Sequence, residues 1–508
     1  MGVDSVHPLY SEALPDWEQL DDTYKGERRV KGAGFKYLPP TSGMRADNVE
    51  TINSKGWHAY DAYRRRAVFP DLVKGAVQAM IGVMHHKPPT IDLPAELEYL
   101  RENATRRKES LELLLRRINE EQLAKGRLGL LLDMKTKPDT KEPFFIVTYC
   151  AQDIVNWDDG GDDVGDKSDV LRMVVLNESG LERQEDAFEW VNKTKYRVLL
   201  LGSLDATDEE IAAAKPMYGF AVFEEGSLAF DQTAIQNPTL RGQLDHIPFK
   251  FINANDVSAS PDAPPLLGLS NLALTIYRGE ADYRQALFMQ GQDTLVIIGG
   301  EEDKEYRAGA NATLTPPMGG DAKYIGVDSK GLPEMREALQ YDYQRADSKA
   351  GELINETSRE RESGDALTIR VAARTATLNR IALAGAFALQ EILRSAAKWQ
   401  GANPDKVVVT PNLDFVDDKM EGTELVQLMT AKSLGAPLSL ESIHETMQDR
   451  GVTQKTWDDE LEAIEKETEL PDAMQPMPTT NPNGPEANAP PGKRPAAAVS
   501  RRPAPVAR

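Results

Sequence analysis

Histidines, clustered carboxylates and one thiol are the side chains of this chain with chemistry to offer, and their spacing argues against most of it. His85 and His86 are adjacent. Neighbours on a helix point about 100° apart, so such a pair seldom ligates one ion. Pro88 and Pro89 also close any helix at that point. The run "DDGGDDVGD", Asp158 to Asp166, offers clustered carboxylates on pliable backbone, which calcium favours. It lacks the EF-hand order and the closing Glu, and reads as a solvated acidic hairpin tip. Cys150 is the only cysteine, which excludes a disulfide or a multi-cysteine zinc site within one chain. Following the strand-like "FFIVTY", it reads as a buried structural thiol.

Nucleotide and acyl-transfer motifs are missing. No Walker A loop occurs, and "GLSNL" falls one residue short of a nucleophile elbow. "KGAGFKYLP" supplies Gly32 and Gly34 without a third glycine or a preceding strand. Acidic residues are so abundant that no catalytic carboxylate pair stands out. The expectation is a protein without cofactor or metal and not an enzyme. An acidic metal-dependent enzyme built on Asp158 to Asp166 is the minor alternative.

One stretch is charged in an unusual way. "INETSRERESGDALT", residues 354–368, places Asn355, Glu356, Arg359, Glu360, Arg361, Glu362 and Asp365 between two helical segments. It is either a solvated connector or a loop that something passes across.

The elements around it must decide. At 508 residues the chain has room for two or three packing units. With 40% hydrophobic and 28% charged residues it can build real cores. A formal net charge of −22 denies it a basic surface for tight nucleic-acid binding by counterion release. It could still meet DNA where it must not grip, because like charges repel. The N-terminus has no signal-like apolar core, and Val6 stands where a myristoylation signal wants Ser or Thr. No apolar run reaches the roughly 18 residues of a membrane span. A cytosolic protein is expected.

Along the chain, the first 60 residues look mixed and turn-rich. The segment from Ala59 to Pro89 then reads as one helix, with Val73, Val77, Met80, Ile81 and Met84 on its buried face. Residues 105–125 read as an amphipathic helix stopped by Gly126. Strand-like runs follow at "RLGLLLDM", "PFFIVTYC", "VLRMVVLNE", "FEWVNKTKYRVLLLGS", "YGFAVFEEG" and "IPFKFINAND", giving an α+β domain over about residues 60–255. Leu269, Leu272, Ile276, Tyr283 and Leu287 share one helical face. "TLVIIGG" and "KYIGVDSKG" bracket a Gly/Pro-rich excursion. A second helix opens at Pro333, and a third runs from Ile369 to Gln400, apolar on most of its circumference. Short helices follow, with Ser439 and Thr453 as N-caps. The final 38 residues contain ten prolines and are expected to be disordered.

That order of elements resembles the portal proteins of tailed bacteriophages, and a branch of them described only as a domain of unknown function. The matching stretches are "YRRRAVFPDLVKGAVQAMIGVMHHKPPTIDLP", "GRLGLLLD", "AQDIVNW", "YRVLLLG", "PPLLGLSNLALTIYRGEADYRQAL", "SAAKWQG", "NLDF" and "LGAPLSLESIHETMQDRGV". The resemblance covers about residues 10–467 and implies a helix-rich channel built from wing, stem, clip and crown. Residues 1–265 and 369–415 would be wing, 266–290 and 332–353 the two stem helices, 292–331 the clip and 421–467 the crown. Residues 354–368 would be the tunnel loop, and the tail 471–508 has no counterpart.

The implied function is a homo-oligomeric ring, commonly of twelve copies, at one capsid vertex of the virion, assembled in the host cytoplasm. Double-stranded DNA would pass through it during packaging and ejection. Terminase, head-completion or adaptor proteins, and the major capsid and scaffolding proteins would be its partners. Under that reading Arg359 and Arg361 hold phosphates briefly, while the neighbouring acids keep the contact from becoming a trap. Another phage head component, an adaptor or capsid protein, is the alternative in the same class. Adaptors are usually far shorter, and capsid proteins lack the stem–clip–stem order.

Overall fold

The computed structural model describes residues 2–135, 142–160, 170–184, 188–203, 217–238, 244–291, 294–298, 319–325, 331–353, 364–415, 422–436, 439–449, 452–453 and 455–468. They divide between two compact units, residues 1–416 and 417–508. Helices and antiparallel strands occupy separate stretches of sequence, an α+β architecture, as expected.

The first unit opens with helices where turns were expected: α1 (Pro8–Lys25), α2 (Glu27–Gly32) and α3 (Ser42–Ala46). The helix expected over 59–89 is two, α4 (Lys55–Arg66) and α5 (Leu72–Met84). Pro70 separates them, because its ring forbids helical backbone at the preceding residue and it has no N–H to donate. All five apolar residues expected on the buried face of α5 are buried. Helix α6 (Leu111–Lys125) starts later than expected, where the Ser110 hydroxyl accepts from the Leu113 N–H. It ends as read, with Gly126 at φ 78°, a conformation only glycine adopts without strain.

The strands form small antiparallel sheets. β2 (Arg127–Met134) lies between β10 (Phe249–Asn253) and β3 (Phe144–Cys150). A second sheet runs in the order β4 (Ile154–Asp158), β5 (Met173–Asn177), β8 (Lys195–Leu201), β9 (Tyr218–Glu224). The run 188–203, read as one strand, splits at Thr194: its first part, β7 (Trp190–Lys193), pairs with β6 (Gly180–Arg183) instead. Far apart in sequence, β1 (Thr90–Asp92) pairs with β13 (Val408–Thr410).

The centre of the unit is a single long helix, α9 (Gly364–Gln400). Its Ala386, Ala388, Leu389, Ile392, Leu393, Ala396, Ala397 and Trp399 lie in the same core as Leu114, Leu115 and Ile118 of α6 and Leu128, Leu130 and Leu132 of β2. Each large apolar side chain fully withdrawn from water contributes about 1.5–3 kcal/mol. Where α9 crosses α6, small residues set the distance. A Cβ on Gly385 would lie 2.7 Å from Asn119 Nδ2 and 2.8 Å from Gln122 Oε1. Both amides are hydrogen-bonded and buried. Gly385→Leu is therefore expected to destabilise the first unit by about 1–3 kcal/mol through overpacking. Chemical denaturation would check this, with Ala384→Gly as a comparison that adds no volume at the crossing.

Burial also makes the fold sensitive to alkali. It pushes the Tyr99 phenol up to about 12, and raises those of Tyr10, Tyr60 and Tyr149. These phenols stay protonated in the fold at a pH where the unfolded chain ionises, so their contribution is intact below about pH 10. It is lost as pH rises through about 10 to 12. The melting temperature should hold level from pH 7 to 9 and fall steeply above 10, and Tyr99→Phe should soften that fall. A flat profile to pH 12 would contradict this.

The second unit is helical: α10 (Gly422–Ser433), α11 (Leu440–Asp449) and α12 (Trp457–Thr468). Ser439 caps α11 as expected, its hydroxyl accepting from Ser442 N–H at 2.9 Å. The cap of α12 is Thr456, which accepts from Asp459 N–H at 3.3 Å, and not Thr453. Thr453 sits too early in the chain, and its hydroxyl accepts from Lys455 N–H instead. The tail expected to be disordered lies outside the described residues.

Candidate functional site

The residues singled out for chemistry do not converge. His85 Nε2 meets Asn119 Oδ1 at 2.9 Å, whereas His86 Nδ1 meets the Val83 carbonyl at 2.9 Å and Asn412 Nδ2 at 3.1 Å. The two rings thus serve different partners. Burial lowers the pKa of His85, which favours the neutral ring. Cys150 is half-buried, and burial raises its thiol pKa. Of the acidic run, Asp158 ends β4 and Asp159 follows it, while residues 161–166 lie outside the described ones. Among the described residues no three His, Cys, Asp or Glu side chains are grouped to hold a metal. Among them, too, no helix is long and apolar enough to cross a membrane.

What the fold does build is an arrangement of three long helices, α9 and two more that precede it in the chain. Helices α7 (Leu267–Gln290) and α8 (Leu332–Leu353) pack along each other. Leu272 and Ile276 of α7 share a core with Leu339 and Ala346 of α8. Glycine makes the closest approach, for a Cβ on Gly279 would stand 2.9 Å from Leu339 Cδ2. Across the seam, Tyr343 donates to Glu280, which also accepts from Arg284 at 2.7 Å.

Helix α4 pins α7 from the other side. Tyr63 donates to Asp282 at 2.6 Å, and the Arg66 guanidinium lies 4.0 Å from the centre of the Phe288 ring. Burial fades along α7, from Leu269 to Ala281 inside the core to Leu287, Phe288 and Met289 on the surface. Between α7 and α8 lies an antiparallel pair, β11 (Thr294–Ile298) and β12 (Asp321–Ile325).

The charged segment follows α8. Asn355, Glu356, Arg359, Glu360, Arg361 and Glu362 lie outside the described residues. Asp365 does not belong to a loop, for α9 begins at Gly364, five residues before the expected Ile369. Glycine and the residues after it continue the helical run toward its N-terminus, so the connection between α8 and α9 is ten residues, 354–363.

A buried polar chain, which the search for chemical motifs passed over, fixes α9 at Ile381. Asn119 donates to Gln122 Oε1 at 2.9 Å and to the Ile381 carbonyl of α9 at 3.4 Å. Gln122 donates to the Asn253 carbonyl at 2.8 Å. Arg127 donates to Asn253 Oδ1 at 3.1 Å and to the Ala259 carbonyl at 2.7 Å. Its guanidinium lies 4.6 Å from the Phe251 ring centre and 4.8 Å from that of Trp157. Burial pushes the Arg127 pKa down to about 9, which leaves it charged at neutral pH. A signal for the chain was present: Asn119 and Gln122 fall one turn after Leu115 and Ile118 on the apolar stripe of α6.

Comparison with known proteins follows the same helices. A family model described as "Domain of unknown function (DUF4055)" matches residues 265–400, which span α7, α8 and α9. No curated protein matches the chain. Solved structures that resemble it include the neck of a native GTA particle computed with C12 symmetry, at 14% identity and a TM-score of 0.35 over 74% of this chain and 89% of that one. The virion of a native gene transfer agent particle matches at 14% identity and a TM-score of 0.36, with the same coverage. The neck of an empty GTA particle computed with C6 symmetry matches at 16% identity and a TM-score of 0.34, over 77% of this chain and 90% of that one. Similarity at this level carries no argument about what this chain does.

Proposed function

We propose that this chain is a phage portal protein, a structural component of the virion that acts as a channel and not as an enzyme. Copies form a ring at one capsid vertex, through which DNA enters during packaging and leaves at ejection. In this reading α7 and α8 are stem helices and residues 292–331 the clip that docks terminase and later head-completion proteins. The segment after α8 lines the constriction, and residues 421–467 are the crown.

The observation that carries the proposal is the arrangement of α7, α8 and α9. Two long helices pack against each other around an excursion containing a strand pair, and a ten-residue charged segment leads into a 37-residue helix. Exposed apolar side chains lend support. Leu383 and Phe387 stand one turn apart on α9, 47% and 48% exposed, on a stretch from Leu378 to Trp399 whose other apolar side chains are buried. A neighbouring copy in a ring would cover such surface.

Electron micrographs and light scattering test the reading together. The expected result is rings with a central hole and a particle many times the 56.1 kDa chain. A clean monomer across micromolar concentrations would sink it. Purified rings should also fail to hydrolyse ATP unless a separate motor is added.

A further inference from the structure

The last 16 residues, 493–508, contain Lys493, Arg494, Arg501, Arg502 and Arg508 and no acid. The whole chain has a formal charge of −22, so the other 492 residues carry −27 (−22 − 5). The channel reading does not use this cationic segment. The last described element before it, α12, has the reverse charge. Six of its twelve residues are acids, Asp458, Asp459, Glu460, Glu462, Glu465 and Glu467, against the single cation Lys466.

Asp458, Leu461, Glu462 and Glu465 fall at i, i+3, i+4 and i+7, so they share one face of α12. All four are exposed, Leu461 by 40%. The helix meets α11 on another side, through Trp457, whose ring centre lies 5.4 Å from that of His444. Like charges three and four positions apart on a helix repel. Lys466 reaches Glu462 at 2.6 Å with both side chains in solvent, and among the described residues Asp458 and Glu465 form no ion pair.

Chain length permits the segment to return to this face. Twenty-four residues separate Thr468 from Lys493 (493 − 468 − 1). They span up to about 80 Å when extended, against about 18 Å for the whole of α12. Such a tether makes the encounter intramolecular, so individually weak contacts suffice. Adjacent arginines suit the target, because a guanidinium offers a carboxylate two parallel donors.

We infer that residues 493–508 dock along the outer face of α12 in the same chain. Arg501 and Arg502 meet Asp458, Glu462 and Glu465, and Pro503 lies on Leu461. The contact relieves repulsion within α12 and withdraws the cationic segment from other polyanions.

Trypsin reads the contact, since it hydrolyses the Arg501–Arg502 bond and leaves Arg502–Pro503 intact. Release of residues 502–508 from the full-length protein is followed by mass spectrometry, beside a synthetic peptide of residues 493–508. At about 0.01 M salt, where charges act over about 30 Å, release from the protein should be at least about fivefold slower than from the peptide. At about 1 M salt, where that range shrinks to about 3 Å, the two rates should coincide. Asp458→Asn combined with Glu462→Gln and Glu465→Gln should abolish the difference at low salt. Glu441→Gln with Glu445→Gln, on α11, should leave it. Removing like charges favours a helix, so the triple variant should keep its circular dichroism. If it does not, Glu465→Gln alone decides, and should roughly halve the difference. Equal rates at low salt, or protection that the triple variant retains, would overturn the docking. So would protection that appears only with added double-stranded DNA, or that fades on dilution and so belongs to a second copy. Electron micrographs without rings would sink the portal reading and leave this one standing.

Discussion

Arg127→Ala is expected to be the most damaging single substitution in the first unit, with a loss of about 3–5 kcal/mol. Truncation removes a side chain that is fully buried and leaves a void, which alone accounts for about 2–5 kcal/mol in cores of this kind. It also strands two buried acceptors, Asn253 Oδ1 and the Ala259 carbonyl. The contacts with Phe251 and Trp157 disappear as well, worth about 2 kcal/mol in a desolvated setting. One effect opposes these: burial disfavours the charge, as the lowered pKa shows, so removing it relieves desolvation.

Arg127→Met separates the contributions. It keeps most of the volume, removes the charge and leaves the acceptors stranded. The expected order of stability is native, then Met, then Ala, read from denaturant midpoints with unchanged slopes. If Ala unfolds within about 1 kcal/mol of native, far below the usual penalty for a buried polar network, Arg127 does not hold the strand to the loop at 254–262.

Arg359→Ala with Arg361→Ala should have the opposite profile. Ring formation and thermal stability should barely change, because charges that line an open channel, as proposed for these two, contribute only about 0–1 kcal/mol. Packaging, or retention of packaged DNA, should fail instead. Deleting Ser358 to Arg361 should act the same way and more strongly, since four of the ten residues joining α8 to α9 would be gone. The readout is the ratio of DNA-filled to empty heads in a phage lacking the wild-type gene and complemented with each variant. Normal filling and retention by both variants would make the segment a connector only.

The sequence announced its helices where periodicity was long and clean. α8 runs from Leu332 to Leu353, as the spacing of Met335, Leu339, Tyr343 and Ala346 indicates, and β2 matches "RLGLLLDM" residue for residue. It was least legible where a local break competes with a global pattern. Val68-Phe69-Pro70 interrupts an otherwise continuous apolar period, and only the proline's geometry splits α4 from α5. Thr194 divides β7 from β8 because each pairs with a different strand, which no local pattern records.

Of the candidate site, the helical frame was readable and the polar chain was not. Asn119, Gln122, Asn253 and Arg127 are separated by up to 134 positions and meet only once β10 pairs with β2 and α9 crosses α6. Glutamine and asparagine on an apolar stripe were the visible trace. Which backbone groups they would satisfy depended on tertiary contacts alone.

The position of α9 at the centre of the first unit has a consequence for synthesis on the ribosome. The sheet of β10, β2 and β3 is complete once Asn253 has been made, but the α9 residues that share its core begin at Ala386, 133 positions later (386 − 253). At roughly 5–20 residues per second, the nascent chain waits about 7–27 s with Leu128, Leu130 and Phe144 lacking their α9 neighbours. The strand pair β1 and β13 cannot close until Thr410 has also left the exit tunnel. During that interval the half-made protein presents an apolar floor to its surroundings. Its yield in a cell should therefore depend on chaperones that hold emerging chains, more than the stability of the finished fold would suggest.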